Sequence, residues 1–316
     1  MSNPASSGNA TGGSEYASPV IQVRDLTKVF RDFWRRPRVK AVNGISMDVL
    51  SGEIFGLLGP NGSGKSTTMK SLLGLLHPTS GSVRVFGRSP RDVLIKREIG
   101  YMPEESYLYR HLTARETLDF YGQLFGLDRA TRRRRVAELL EMTELTAAAD
   151  RQVGEFSKGM ARRIGLAQAL INDPQLVILD EPTAGLDPVG CSQVKNLMLT
   201  LRRNGKTILL SSHLLADVED VCDRIAVLYA GKIIAQGRVG DLLKKTDKIR
   251  ITFAAPAAER MREVLATIQQ SVGERPEVDH PAIDLERFFL DVIYGVQGKP
   301  VGDDAGLRLP GFLKRQ

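Results

Sequence analysis

The residues with the clearest chemical meaning are Gly59-Pro60-Asn61-Gly62-Ser63-Gly64-Lys65-Ser66, which fit the pattern G-x-x-x-x-G-K-[ST]. Glycines at this spacing let successive backbone N–H groups turn toward phosphate oxygens, and a helix start behind them adds positive potential. Lys65 is placed to reach the β- and γ-phosphates of a nucleotide, and the Ser66 hydroxyl to ligate Mg²⁺. Thr67 follows in the first turn of the expected helix. A Gly-rich turn with a surface lysine would look similar in isolation, but here the apolar run Ile54 to Leu58 leads into the loop and a helical pattern leaves it.

A second cluster follows the apolar run Leu176 to Leu179, which ends in Asp180 and Glu181. Beside a phosphate loop, such a pair supplies what the first motif lacks. Asp180 would hold Mg²⁺ through water, and Glu181 would orient or deprotonate an attacking water. An isolated Asp-Glu pair more often opens a turn or helix. The phosphate loop reverses that preference.

Further motifs make the reading specific. Phe156-Ser157-Lys158-Gly159-Met160 precedes a helix, and Asp180-Glu181-Pro182, Gly185-Leu186-Asp187 and Ser211-Ser212-His213 follow in order. In this set and order the chain, from about Val20 to Gln236, resembles the ABC ATPases. The resemblance implies an α/β P-loop fold with an inserted helical subdomain and an antiparallel β subdomain. It also implies two copies sandwiching two ATP molecules, each phosphate loop facing the other copy's signature motif. Ser157 and Gly159 would then contact the γ-phosphate in the opposite subunit, with the N-terminus of the helix after them aimed at it. His213 would contact the γ-phosphate as the switch histidine, Asp187 would link the two sites, and Phe30 stands where an aromatic usually stacks on adenine.

The chain departs from the family pattern in two places. The signature usually reads Leu-Ser-Gly-Gly-Gln, and here Lys158 and Met160 replace its third and fifth residues, a form that resembles the drug-exporter and ABC-2-type branch. In Gly100-Tyr101-Met102-Pro103-Glu104 the family usually has glutamine where Glu104 stands. A carboxylate there can still approach Mg²⁺, so Glu104 joins Ser66 and Asp180 as a candidate metal ligand and Glu181, His213 and Lys65 as a candidate catalytic group.

These residues need elements to hold them. Short apolar strands alternate with helical stretches from Val20 to Gly240, with strands expected at Ile45 to Val49, Ile54 to Leu58, Leu176 to Leu179, Thr207 to Leu210, Ile225 to Tyr229 and Lys232 to Ala235, the last two forming a hairpin around Ala230-Gly231. Between about residues 105 and 160 the pattern turns helical, most clearly at Ala114 to Phe125 and Thr131 to Met142. The expected organisation is a disordered tail over 1–18, an ATPase domain over 19–240, a small α+β domain over 241–297 and a loose tail over 298–316. In the small domain a strand at Ile249 to Phe253 and helices at Pro256 to Gln270 and Leu285 to Tyr294 are expected.

With 316 residues, 42% hydrophobic and 26% charged, the composition is that of a globular protein. No run of about 18 apolar residues occurs, which excludes a membrane-spanning helix, and Met1 to Ser18 lack the pattern of a secretory signal. Cys191 and Cys222 are too few for a disulfide framework or a zinc cluster. The formal charge of +7 suits an anionic partner. Membrane-spanning permease chains would have to be separate, which places the chain on the cytoplasmic face of the cell membrane. The partners expected from the resemblance are ATP with Mg²⁺, a second copy of the chain and a permease, with Ser106 to Arg110 as a contact for it. The competing reading is a soluble ATPase of the same family acting on nucleic acid or ribosomes. One cassette, and too few residues between Lys65 and Ser157 for a long coiled coil, argue against it, and no nucleic-acid partner is expected.

Overall fold

The computed structural model describes residues 19–34, 36–105, 108–244, 256–273 and 309–314. The expected tail over 1–18, the strand at 249–253 and the helix at 285–294 lie outside the described residues. The chain divides into two units, one of residues 1–239 and 306–316, the other of 240–305.

The first unit carries two sheets. Strands β1 (Pro19–Arg31), β2 (Pro37–Leu50) and β4 (Ser80–Val85) form an antiparallel sheet in the order β2-β1-β4. Strands β3 (Ile54–Leu58), β5 (Ile99–Met102), β6 (Leu176–Asp180), β7 (Thr207–Ser212), β8 (Arg224–Tyr229) and β9 (Lys232–Arg238) form the second, in the order β5-β6-β7-β3-β8-β9. The first five of that order run parallel, and β9 returns antiparallel to β8 through the Ala230-Gly231 turn. Both turn residues have positive φ, 49° and 77°, as a two-residue hairpin loop matched to strand twist requires.

Every residue of β3, β6 and β7 is buried, so these strands are apolar without alternation except at the ends of β6 and β7, where Asp180, Thr207, Ser211 and Ser212 stand. Alternation survives in what each face meets. Ile54, Leu58, Val177, Leu179, Ile208 and Leu210 belong to one core cluster, and Phe55, Leu57, Leu176, Ile178 and Leu209 to another, shared with Ile21, Val23, Ile45 and Val85 of the antiparallel sheet. The first cluster joins the sheet to helices α2 (Ala114–Leu124), α3 (Arg129–Met142), α4 (Lys158–Leu170) and α5 (Pro188–Arg203), with Leu118, Leu139, Ile164 and Leu197 among its members.

The helix starts are written in the sequence. Thr113 caps α2 with a full capping box to Glu116, Asp128 caps α3, Ser157 caps α4 and Asp187 caps α5. The expected helices therefore appear within two residues of their expected ends. The second unit carries helix α6 (Ala258–Val272), which ends at Gly273 in the left-handed conformation.

The loose tail expected over 298–316 is corrected where it is described. Leu313 is fully buried, Leu309 nearly so, and both belong to the first core cluster. The Arg135 guanidinium of α3 lies 4.4 Å from the centroid of Phe312. The composition of that segment suggested a coil, but Leu309, Phe312 and Leu313 supply enough apolar surface to hold it down.

Candidate functional site

The site forms at the carboxyl ends of β3, β7 and β6, which are neighbours in the sheet, as open parallel sheets favour. From β3 the chain enters the loop 59–64 and then α1 (Lys65–Leu72). Gly59 and Gly64 have φ of 152° and 108°, and a Cβ at either would collide with a backbone carbonyl, that of Leu228 or of Ala41. Only glycine permits this path. Pro60, Asn61 and Gly62 form the exposed apex, and a Cβ at Gly62 would meet open space. Below them Ser63 Oγ is buried without a hydrogen-bond partner, a hydroxyl fitted to a ligand oxygen or water.

Lys65 is 6% exposed; its Nζ donates to Gly59 O at 2.7 Å and pairs with Glu181 Oε1 at 3.3 Å. The other carboxylate oxygen of Glu181 lies 2.8 Å from His213 Nδ1. Asp180, at the end of β6, accepts from Ser211 Oγ at 2.5 Å and from Ser66 Oγ at 3.4 Å. The structure thus gathers Lys65, Ser66, Asp180, Glu181 and His213 into one cluster, with Thr67 behind it on α1. Tyr101 on β5 feels the same surroundings: burial and the charge of Asp180 push its phenol up to about 12.

Glu181 is itself strained. Its φ is +52°, the left-handed region, which costs a residue with a Cβ about 1–2 kcal/mol. Two side chains hold it there: its N–H donates to Ser211 Oγ at 2.9 Å and its carbonyl accepts from Arg162 at 2.7 Å. Arg162, buried on α4, also donates to Pro103 O at 3.0 Å, tying the turn before Glu104 to the carboxylate strand. Burial lowers the Arg162 pKa, opposed by the charges of Glu104, Asp180 and Glu181.

The remaining candidates lie apart. Glu104 is exposed and makes no described hydrogen bond to Ser66 or Asp180, so its partner in charge is Arg162 rather than the Ser66–Asp180 pair. Ser157 caps α4 by accepting from Met160 N at 3.3 Å. A Cβ at Gly159 would meet nothing nearer than Leu186 Cδ2 at 3.7 Å, so that backbone is open to close approach. Asp187 accepts from Gly190 N at 2.8 Å. Phe30 is 39% exposed, with Lys28 Nζ 5.4 Å from its ring centroid. Among the described residues no hydrogen bond or ion pair links Ser157, Gly159, Asp187 or Phe30 to the Lys65 cluster. Of the expected permease contact, Ser106 and Tyr107 lie outside the described residues, while Tyr109 is half-exposed and packs edge-on against Phe120.

Comparison with known proteins agrees with this geometry. A family model described as ABC transporter matches residues 42–184. An uncharacterized ABC transporter ATP-binding protein of Synechocystis sp. is 40% identical over 254 residues, covering 79% of this chain and 72% of its own length. The Nod factor export ATP-binding protein I of Rhizobium sp. (strain N33) is 43% identical over 206 residues, covering 65% of this chain and 68% of its own. Among solved structures, a dimeric post-hydrolysis state of an ATP-binding cassette bound to ADP and Pi superposes with a TM-score of 0.65 at 26% identity, over 69% of this chain and 98% of that one.

Proposed function

The chain belongs to the family of ABC transporter ATP-binding proteins, and from that premise we propose that Lys65, Glu181 and His213 carry ATP hydrolysis in a two-copy assembly that drives separate permease chains of an exporter. The observation that supports these roles best is the meeting of Lys65 and His213 on the two carboxylate oxygens of Glu181, beside the Ser66–Asp180 pair, at the ends of three adjacent strands.

The backbone N–H groups of residues 59–66 bind the phosphates, and Ser63 Oγ gains a partner. Phosphate oxygens compete with Glu181 for Lys65 Nζ, and the carboxylate so released can accept a proton from water. That water attacks the γ-phosphorus, the bond to the bridging oxygen breaks, and ADP departs with its negative charge held by Lys65 and the loop. His213 orients the carboxylate before the exchange and the γ-phosphate after it. Ser66 Oγ and Asp180 form the hard-oxygen pair that would hold Mg²⁺ with its waters, and the bound ion would withdraw charge from the β- and γ-phosphates. The strained turn keeps Glu181 aimed at this space.

Ser157 and Gly159, open at the start of α4, serve the second copy's γ-phosphate, and Phe30 receives the adenine after Lys28 swings aside. Among the described residues no helix is long and apolar enough to cross a membrane, and we place the chain as a peripheral subunit at the cytoplasmic face, held by its permease. Glu181→Gln tests the central role. The variant should bind ATP at least as tightly, since phosphate no longer competes with a carboxylate for Lys65, while kcat falls by about 10²–10⁴-fold, the contribution of a positioned general base. Normal turnover would remove Glu181 from that role.

A further inference from the structure

Strands β1 and β2 are longer than the sheet they build. Their pairing continues to Phe30↔Val39 and Arg31↔Pro37, whereas β4 stops pairing with β1 at Thr27. Beyond residue 29 the two strands pair only with each other and carry a free-standing tip. On that tip Phe33 is 93% exposed and Trp34 73%, their rings edge-to-face at 5.6 Å, and Val39 is 54% exposed. In sequence, residues 31–40 carry Arg31, Arg35, Arg36, Arg38 and Lys40 against a single acid, Asp32. Asp32 is already held by Arg36 at 3.0 Å, while Arg31, Arg38 and Lys40 are exposed and form no ion pair with another described residue. Nothing in the hydrolysis chemistry uses these groups.

A protein surface does not hold two exposed aromatic rings on a strongly basic segment without cost, since both fail to contribute to the core and the ribbon bearing them is only two strands wide. The combination matches one environment well. Tryptophan and phenylalanine settle at the headgroup level of a bilayer, and arginine and lysine are drawn to anionic lipid. We propose that the β1–β2 tip, residues 31–40, docks on the headgroup layer of an anionic membrane. A permease surface fits less well, because cytoplasmic loops of membrane proteins carry an excess of lysine and arginine and would repel this tip. The inference rests on the transporter reading only in that it needs a membrane nearby; its chemistry is independent of ATP hydrolysis.

Trp34 is the single tryptophan of the chain, so its emission reports on the tip alone. The full-length protein is titrated with vesicles of phosphatidylglycerol and phosphatidylethanolamine, and with phosphatidylcholine vesicles as the uncharged control. The anionic vesicles should shift Trp34 emission to the blue, and the shift should vanish at about 1 M salt, where the screening length falls to roughly 3 Å. Arg38→Gln and Lys40→Gln should each weaken vesicle binding about fivefold, and Phe33→Ser should weaken it further while ATP hydrolysis in solution is retained. Three results overturn the proposal: no shift with anionic vesicles, an equal shift with phosphatidylcholine, or an equal shift produced by a single-stranded RNA oligonucleotide without vesicles. Vesicle binding by wild-type protein that fails to hydrolyse ATP would instead contradict the hydrolytic reading and leave this one standing.

Discussion

At the scale of single residues, the proposed chemistry turns on Lys65, which is paired with Glu181 in the structure and on our reading exchanges that partner for incoming phosphate. The type and spacing of Lys65, Ser66, Asp180, Glu181 and His213 were legible in the sequence, because each motif carries its own chemical reason. Two features were not. No pattern announces that Glu181 sits at positive φ, since that depends on Ser211 and Arg162 gripping its backbone. Arg162 itself reads as half of a basic pair on a helix face, and only its place in the second turn after Ser157 hints that it turns inward. It is a positioning residue. Arg162→Gln removes two charge-assisted bonds to carbonyls, and kcat should fall tenfold or more, equivalent to about 1.4 kcal/mol at the barrier, while KM for ATP stays within about twofold. Arg162→Lys should restore part of the rate. A rise in KM at constant kcat, in steady-state assays of both variants, would show that Arg162 serves binding instead.

Among the elements, the strands carrying the chemistry were readable from their apolar runs and the helices from their caps, because a buried strand must be apolar and a helix start must satisfy its N–H groups. The antiparallel sheet was only partly legible: the sequence suggested Ile45 to Val49, whereas β2 begins at Pro37 and pairs along the length of β1. Pairing between distant strands leaves little local trace. The segment 309–314 was misread for a different reason. Its glycine and proline suggested a coil, yet Leu309, Phe312 and Leu313 recur at a spacing that one 3₁₀ turn brings onto the core. Leu313→Ala should therefore cost about 2–5 kcal/mol and lower the melting temperature by about 4 °C or more in a thermal scan. An unchanged melting temperature would return the segment to the status of a tail.

For the whole molecule, the separation of Ser157 and Gly159 from the Lys65 cluster is the informative fact. Both are open at a helix start, and neither has a described bond to the phosphate loop of its own chain. Set beside the dimeric cassette structures that this chain resembles, that separation supports our proposal that each copy completes the other's site. That is the central claim. It is tested most directly by mixing Ser157→Arg subunits with Lys65→Ala subunits and measuring ATP hydrolysis in verified mixed dimers. Each variant alone should be inactive, whereas the mixed dimer, which retains one site with wild-type Lys65 and wild-type Ser157, should recover activity. Mixed dimers as inactive as either parent would contradict the shared site.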